Sequence, residues 1–271
     1  MPLPPIFDNK TPSAPSVFQP AALLREARRQ KGLPAVNVPE VCILDPDGDI
    51  VRQLRQAGET SAFEAWPCYH TRLDAFTLAG QTAGIVGCAV GAPFAVLIAE
   101  QLFASGCRLL LSITSAGQIV SAGRLPYFVI IERALRDEGT SYHYALPSEH
   151  GEADPDLVAL AAAALKEKAI HAVVGASWTT DAPFRETAQA IGNARRRGLL
   201  AVEMEAAALY TFARSAGAKV LCLAHVTNTM GQSEQDFEKG EAEGSAEALQ
   251  ILEAIAAKWR TTPGLNHPGV L

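Results

Sequence analysis

Several kinds of chemistry are missing from this 271-residue chain. No apolar run reaches the ~18 residues that a membrane-spanning helix needs, so no membrane partner is expected. Basic residues are outnumbered, 23 Lys and Arg against 29 Asp and Glu for a net charge of −6, which argues against a sequence-independent grip on nucleic acid. The five cysteines, Cys42, Cys68, Cys88, Cys107 and Cys222, lie far apart with no C-x-x-C pair. They read as free thiols in a reducing compartment rather than as disulfides or a zinc site. His143, His150, His171 and His225 show no metal-ligand spacing, and no metal site is expected. A dinucleotide fingerprint, G-x-G-x-x-G, is absent after the first strand, and so is the G-x-S-x-G of serine hydrolases. Residues 1–16 carry neither the basic nor the apolar stretch of a secretory signal, so a cytoplasmic location is expected.

What is present is a chain with 48% hydrophobic and 19% charged residues, suited to a sizeable core. Residues 1–19 hold five prolines and no periodicity, and read as an extended arm that lies on a partner subunit. Residues 20–271 show no internal repeat and no linker, and read as one domain. Apolar runs at 41–44, 82–88, 108–113, 172–176 and 219–226 read as strands, with a further strand-like segment at 68–78. Helices are expected at 20–30, 49–57, 93–105 and 154–168, from about 203, and from about 235 to 259. Strands alternating with helices at this spacing imply an α/β three-layer sandwich around a mainly parallel, twisted central sheet.

In such sheets ligands sit beyond the carboxyl ends of the strands. The turns there include Gly87–Ala92, Thr114–Gly117, Trp178–Phe184 and Thr227-Asn228. The most informative stretch is Val202-Glu203-Met204-Glu205-Ala206-Ala207-Ala208-Leu209-Tyr210, two carboxylates at the mouth of an alanine-rich helix. Acids favour a first helical turn because they complement its dipole. The helix is otherwise so apolar that it must be buried, and a buried carboxylate needs donors. A vicinal diol offers two, so ribose capture is the functional reading.

That stretch resembles the V-E-M-E-A-A-x-x-Y signature of the nucleoside phosphorylase family, which includes uridine and hexameric purine nucleoside phosphorylases. Residues 136–144, from Arg136-Asp137-Glu138-Gly139-Thr140-Ser141 onward, are similar to its R-D-E-G-T-S segment. Thr179-Thr180-Asp181 is similar to its base-side S-S-D or T-T-D, and Gly91-Ala92-Pro93 to its G-G-P or G-A-P. The resemblance runs in order from about residue 40 to 255. It implies a nucleoside phosphorylase-like fold and a pentosyltransferase that cleaves the N-glycosidic bond with phosphate. A pyrimidine nucleoside is implied, since Asn228 stands where purine-specific relatives carry a catalytic aspartate. Glu205 and Asn228 would be the catalytic residues, with Glu205 accepting from the 2′- and 3′-hydroxyls. Glu203 and Met204 would complete the sugar site, and Ser115, Gly117, Trp178, Thr180, Phe184 and Arg185 would line the rest of the substrate site. No cofactor is implied beyond inorganic phosphate as co-substrate. A homo-oligomer is expected, a dimer or a hexamer with sites completed by a neighbour.

The anion end departs from that pattern. The family's G-D-P-x-R is replaced by Leu44-Asp45-Pro46-Asp47-Gly48, and its R-x-G-T-x-G by Ser112-Ile113-Thr114-Ser115-Ala116-Gly117. Two arginines are gone, and each charged hydrogen bond is worth about 1.5–3 kcal/mol. A weak phosphate site is expected from Ser115 and Gly48, helped by Arg72. Ser115-Ala116-Gly117 also resembles the S-A-G of methylthioadenosine nucleosidases, which use water. Hydrolysis, or nucleoside binding without turnover, therefore stays open as an alternative.

Overall fold

The computed structural model describes residues 4–8, 10–230 and 236–265. In chain order the elements are α1 (Pro20–Lys31), β1 (Val41–Asp45), α2 (Asp49–Ala57), β2 (Thr60–Ala62), β3 (Asp74–Leu78), β4 (Gln81–Gly87) and α3 (Ala92–Ala104). There follow β5 (Leu109–Gln118), β6 (Tyr127–Asp137), β7 (His150–Glu152), α4 (Pro155–Glu167), β8 (Ala172–Thr180) and α5 (Ala188–Arg196). The described chain closes with β9 (Ala201–Glu203), α6 (Ala206–Ala216), β10 (Val220–Asn228) and α7 (Ser245–Thr261). It is a mixed α/β fold, and among the described residues no helix is long and apolar enough to cross a membrane.

The strands explain the layering. Successive side chains of a strand face opposite sides. Along β1, Cys42 and Leu44 enter one core with α3 and α6, whereas Val41 and Ile43 enter another with α2, α4 and α7. The strand is therefore apolar throughout because both of its faces are covered. A third, smaller cluster joins Trp178, Ile119, Leu199 and Val202 to Ala194 of α5.

The sheet is less parallel than its spacing suggests. β4–β1–β5–β10 pair in parallel, as do β6–β8 and β8–β9. The β10–β6, β5–β9, β6–β7, β3–β4 and β2–β3 pairings are antiparallel. The sequence of pairings β5–β10–β6–β8–β9–β5 returns to its start, so five strands close on themselves like a small barrel. Strand length makes this possible. β5 pairs with β1 over Leu109–Ser112 and runs on past it to meet β9 at Gly117 and Gln118.

Differences from the sequence expectation concern mainly ends and reversals. The segment expected to be strand at 68–78 is strand only from Asp74, and β2, β6, β7, β9 and α5 carried too weak a pattern to stand out. α6 begins at Ala206 rather than at Glu203, which ends a strand. The final helix begins at Ser245, and part of the earlier start expected for it lies outside the described residues. In the N-terminal arm, the turn Pro5–Phe7 packs on the same chain, with Phe7 edge-on to Tyr142 at 4.8 Å.

Candidate active site

Register brings the family-like segments to one end of the sheet. Gly117 of β5 pairs with both Asn228 of β10 and Val202 of β9, and Glu203 pairs with Thr179 of β8. Residues some 110 positions apart thus become neighbours across a strand pairing.

Glu203 is buried, and all its acceptor capacity goes to the protein. One oxygen accepts from Ser177 Oγ at 3.0 Å and Thr179 Oγ1 at 2.5 Å. The other accepts from the backbone N–H groups of Glu205 and Ala206, both at 2.7 Å. Burial raises this carboxyl, against the pull of those four donors. The carboxylate satisfies the free N–H groups at the start of α6, the dipole-complementing role that acids commonly take there. Glu203, expected at the sugar, here has its lone pairs spent on protein donors.

Glu205 behaves differently. Only 1% of it is exposed, and its Oε1 accepts from Gly91 N at 2.7 Å at the start of α3. Its Oε2 is buried with no partner. Burial pushes this carboxyl up to about 8, with the Glu203 and Asp47 charges adding to the rise and the Gly91 N–H opposing it. An unsatisfied buried carboxyl oxygen costs folding free energy, so its retention points to an outside donor. Met204, half-buried, sits between the two acids.

At the other side, Asn228 is engaged locally. Its Nδ2 donates to Ala116 O at 3.3 Å and Thr227 Oγ1 at 3.1 Å, and its Oδ1 accepts from Met230 N at 2.8 Å. In this conformation it ties down the chain after β10 rather than offering a free donor. A Cβ on Gly117 would lie 2.8 Å from Met230 Cγ, so Met230 covers the bare backbone there.

Trp178 is buried in the third cluster and donates from Nε1 to Asp137 Oδ2 at 3.0 Å. It packs as a core residue in this structure. Thr180 accepts from Ala182 N at 3.2 Å, which shapes the turn. Asp181 accepts from Gly139 N at 2.8 Å, and Thr187 caps α5. Phe184 is 99% exposed and Arg185 is exposed beside it. The segment 136–144 is bound up in itself. The buried Arg136 donates from Nε to Ser141 Oγ at 2.8 Å, and Glu138 accepts from Ser141 N at 3.0 Å.

The anion end holds the largest departure. Gly48, at φ 76°, donates its N–H to Asp45 Oδ1 at 3.1 Å, so it has no donor left for phosphate. Asp45 also accepts from Val51 N at 2.9 Å, and burial pushes its carboxyl up to about 7. Ser115 donates its backbone N–H to Asp47 Oδ2 at 2.7 Å. A carboxylate of the chain itself thus occupies the donor expected to hold an anion. Arg72 is exposed and paired at 3.4 Å with Asp74, away from Ser115. Lys239 is a nearby cation, bonded to Asp49 at 2.5 Å and 3.7 Å from Asp47, and Arg52 bonds the same Asp49 at 2.7 Å.

Sequence reading marked Thr179 without its role as a Glu203 donor, and it missed Asp47 and Lys239. Asp47 had a visible signal, as one of three acids alternating through Asp45-Pro46-Asp47-Gly48-Asp49. Lys239 had none, because only folding brings it back over β1. Among the described residues no group of three or more His, Cys, Asp or Glu is placed to hold a metal ion.

Comparison with known proteins matches this arrangement to one family. The model of the phosphorylase superfamily matches residues 40–257. A uridine phosphorylase of Thermococcus kodakarensis is 25% identical over 70% of this chain and 75% of its own length. A DeoD-type purine nucleoside phosphorylase of Xenorhabdus nematophila is 29% identical over 59% of this chain and 68% of its own. The crystal structure of uridine phosphorylase from Vibrio fischeri shares the fold, with a TM-score of 0.70 at 22% identity over 83% of this chain and 95% of that one.

Proposed function

The chain belongs to the phosphorylase superfamily, and from that premise we propose that it cleaves the N-glycosidic bond of a nucleoside, with inorganic phosphate taking the pentose. The observation that carries this reading is the unpartnered, buried Oε2 of Glu205 beside the fully bonded Glu203. A sugar diol supplies the donors that oxygen lacks. Breaking the bond builds positive charge on the sugar and negative charge on the departing base. Diol donors and the positive sugar both favour the ionised form of this carboxyl, and the carboxylate then relieves the sugar's charge increasingly toward the transition state. The reaction needs no redox chemistry, so phosphate is the only co-substrate in the reading.

The proposed base is a pyrimidine. Asn228 supports this choice, since it is the residue that differs from the aspartate of purine-specific relatives. A homo-oligomer of arm 1–19 and domain 20–271, in the cytoplasm, belongs to the same reading. The exposed Phe184, Phe18 and Tyr69 supply apolar surface for subunit contact, and five free cysteines suit a reducing compartment.

A second reading, hydrolysis, is favoured by one observation: Asp47 already holds the Ser115 N–H. Base release from uridine and inosine, with and without phosphate, tests both. Phosphate-dependent release of uracil is the expected result. Equal release without phosphate overturns phosphorolysis, and no release from any nucleoside overturns the enzymatic reading.

A further inference from the structure

The chain just past β10 is tied down residue by residue. Thr229 donates its N–H to both carboxylate oxygens of Asp236, at 2.7 and 2.9 Å, and its Oγ1 donates to one of them at 3.0 Å. Met230 follows at φ 62°, left-handed backbone that glycine, asparagine and aspartate adopt far more readily than methionine does. Its N–H donates to Asn228 Oδ1 at 2.8 Å. Backbone in such a conformation persists where its surroundings over-determine it, and it gathers at ligand sites.

The conformation lays the half-buried Met230 side chain across bare backbone. A Cβ built on Gly117 would lie 2.8 Å from Met230 Cγ, 3.2 Å from Val202 Cγ1 and 3.4 Å from Asn228 Oδ1. Side chains from β9, from β10 and from the chain beyond β10 therefore converge on one point of β5. Glu205, whose buried Oε2 lacks a partner, is three residues past Val202. Three residues span at most about 10 Å, so a base joined to a sugar at Glu205 comes within reach of Gly117. Met230 also packs against the buried cluster around Trp178, which limits how far it can retreat.

Granted the reading of the site as nucleoside-cleaving, we propose that Met230 sets the size of the base. Its side chain takes the space over Gly117 that the second ring of a purine needs, and leaves room for a single ring. Asn228 then acts through Met230, as the acceptor that fixes its backbone, and is a positioning residue. The selection is steric and separate from any hydrogen bond to the base. An unbranched thioether can bend aside, so a two-ring base is disfavoured by the displacement it forces and is not shut out completely.

Met230→Ala removes the obstruction, and Met230→Leu nearly keeps its volume. Base release from uridine and inosine, at saturating phosphate, reads the effect. Met230→Ala is expected to raise the ratio of kcat/KM for inosine to that for uridine at least about tenfold, chiefly through KM for inosine. Met230→Leu is expected to keep the wild-type ratio to within about threefold. Calorimetric titration of uracil and hypoxanthine reads the same selection without turnover, and thermal melts check that both variants fold. A ratio unchanged in Met230→Ala overturns the assignment, and so does a wild type that already prefers inosine. Turnover whose base preference ignores position 230 removes this assignment alone. Wild type and variants that release no base and bind neither uracil nor hypoxanthine remove the nucleoside reading itself, and the role of Met230 with it.

Discussion

Replacing each acid of the Glu203-Met204-Glu205 stretch by glutamine separates a structural carboxylate from a working one. Glu203 accepts four hydrogen bonds at 2.5–3.0 Å, two from backbone N–H groups that cannot turn away. In Glu203→Gln the amide oxygen can serve those two, leaving its NH2 to face Ser177 and Thr179. Thr179 Oγ1 already accepts from Ala207 N. Loss of charge assistance at four bonds, at about 0.5–1 kcal/mol each, costs about 2–4 kcal/mol. For a chain of this size that lowers Tm by roughly 10 °C.

Glu205→Gln keeps the bond from Gly91 N through its amide oxygen. The carboxyl it replaces is raised from 4.5 to about 8, so at pH 7 the unfolded chain has ionised while the folded one has not, and the variant should already be more stable than wild type by about 3 kcal/mol. The sign of the pH dependence follows. A folded pKa raised above 4.5 means that wild type loses stability relative to the variant as pH rises from there through about 8. Glu205→Gln should therefore match wild type at pH 4, exceed it at pH 9, and lose at least about 100-fold in kcat/KM for nucleoside. Melts across that pH range and nucleoside assays at saturating phosphate give both readouts. An active Glu205→Gln with an inactive but fully stable Glu203→Gln would refute the assignment of roles.

Two further outcomes bear on other parts of the molecule. Burial, with Lys239 beside it, drives the His225 imidazole down to about 4 from 6.5, so wild type should lose about 3 kcal/mol as pH falls from 6.5 through 4. His225→Gln should flatten that limb of the stability profile, and an unchanged profile would show that His225 is not its source. Trp178→Phe should cost about 1–2 kcal/mol through the lost bond to Asp137, with KM for nucleoside unchanged, whereas a large rise in KM would return Trp178 to the base site.

The apolar runs at β1, β5 and β10 were legible because strands covered on both faces read as unbroken hydrophobic stretches. β6 was harder, since its run breaks into Glu132 and Arg133 where its edge turns outward. β9, three residues long, is a strand only because β5 and β8 flank it. The motifs in the chain marked Glu205 and the turns around Ser115 and Thr179, but they could not apportion roles. Two glutamates separated by a single residue look alike in sequence, and only the position of Thr179 on the neighbouring strand makes one of them structural.

The amino-acid order by itself determined the class of fold, the family and the end of the sheet where chemistry gathers, because periodicity and short motifs are local properties. The folded chain decided the rest: that the sheet closes on itself, that Glu203 is spent on protein donors while Glu205 is not, and that Asp47 and Lys239 meet at Ser115. Those outcomes depend on distances between residues far apart along the chain. No local pattern encodes such distances, since each is set by which strands pair and in what register.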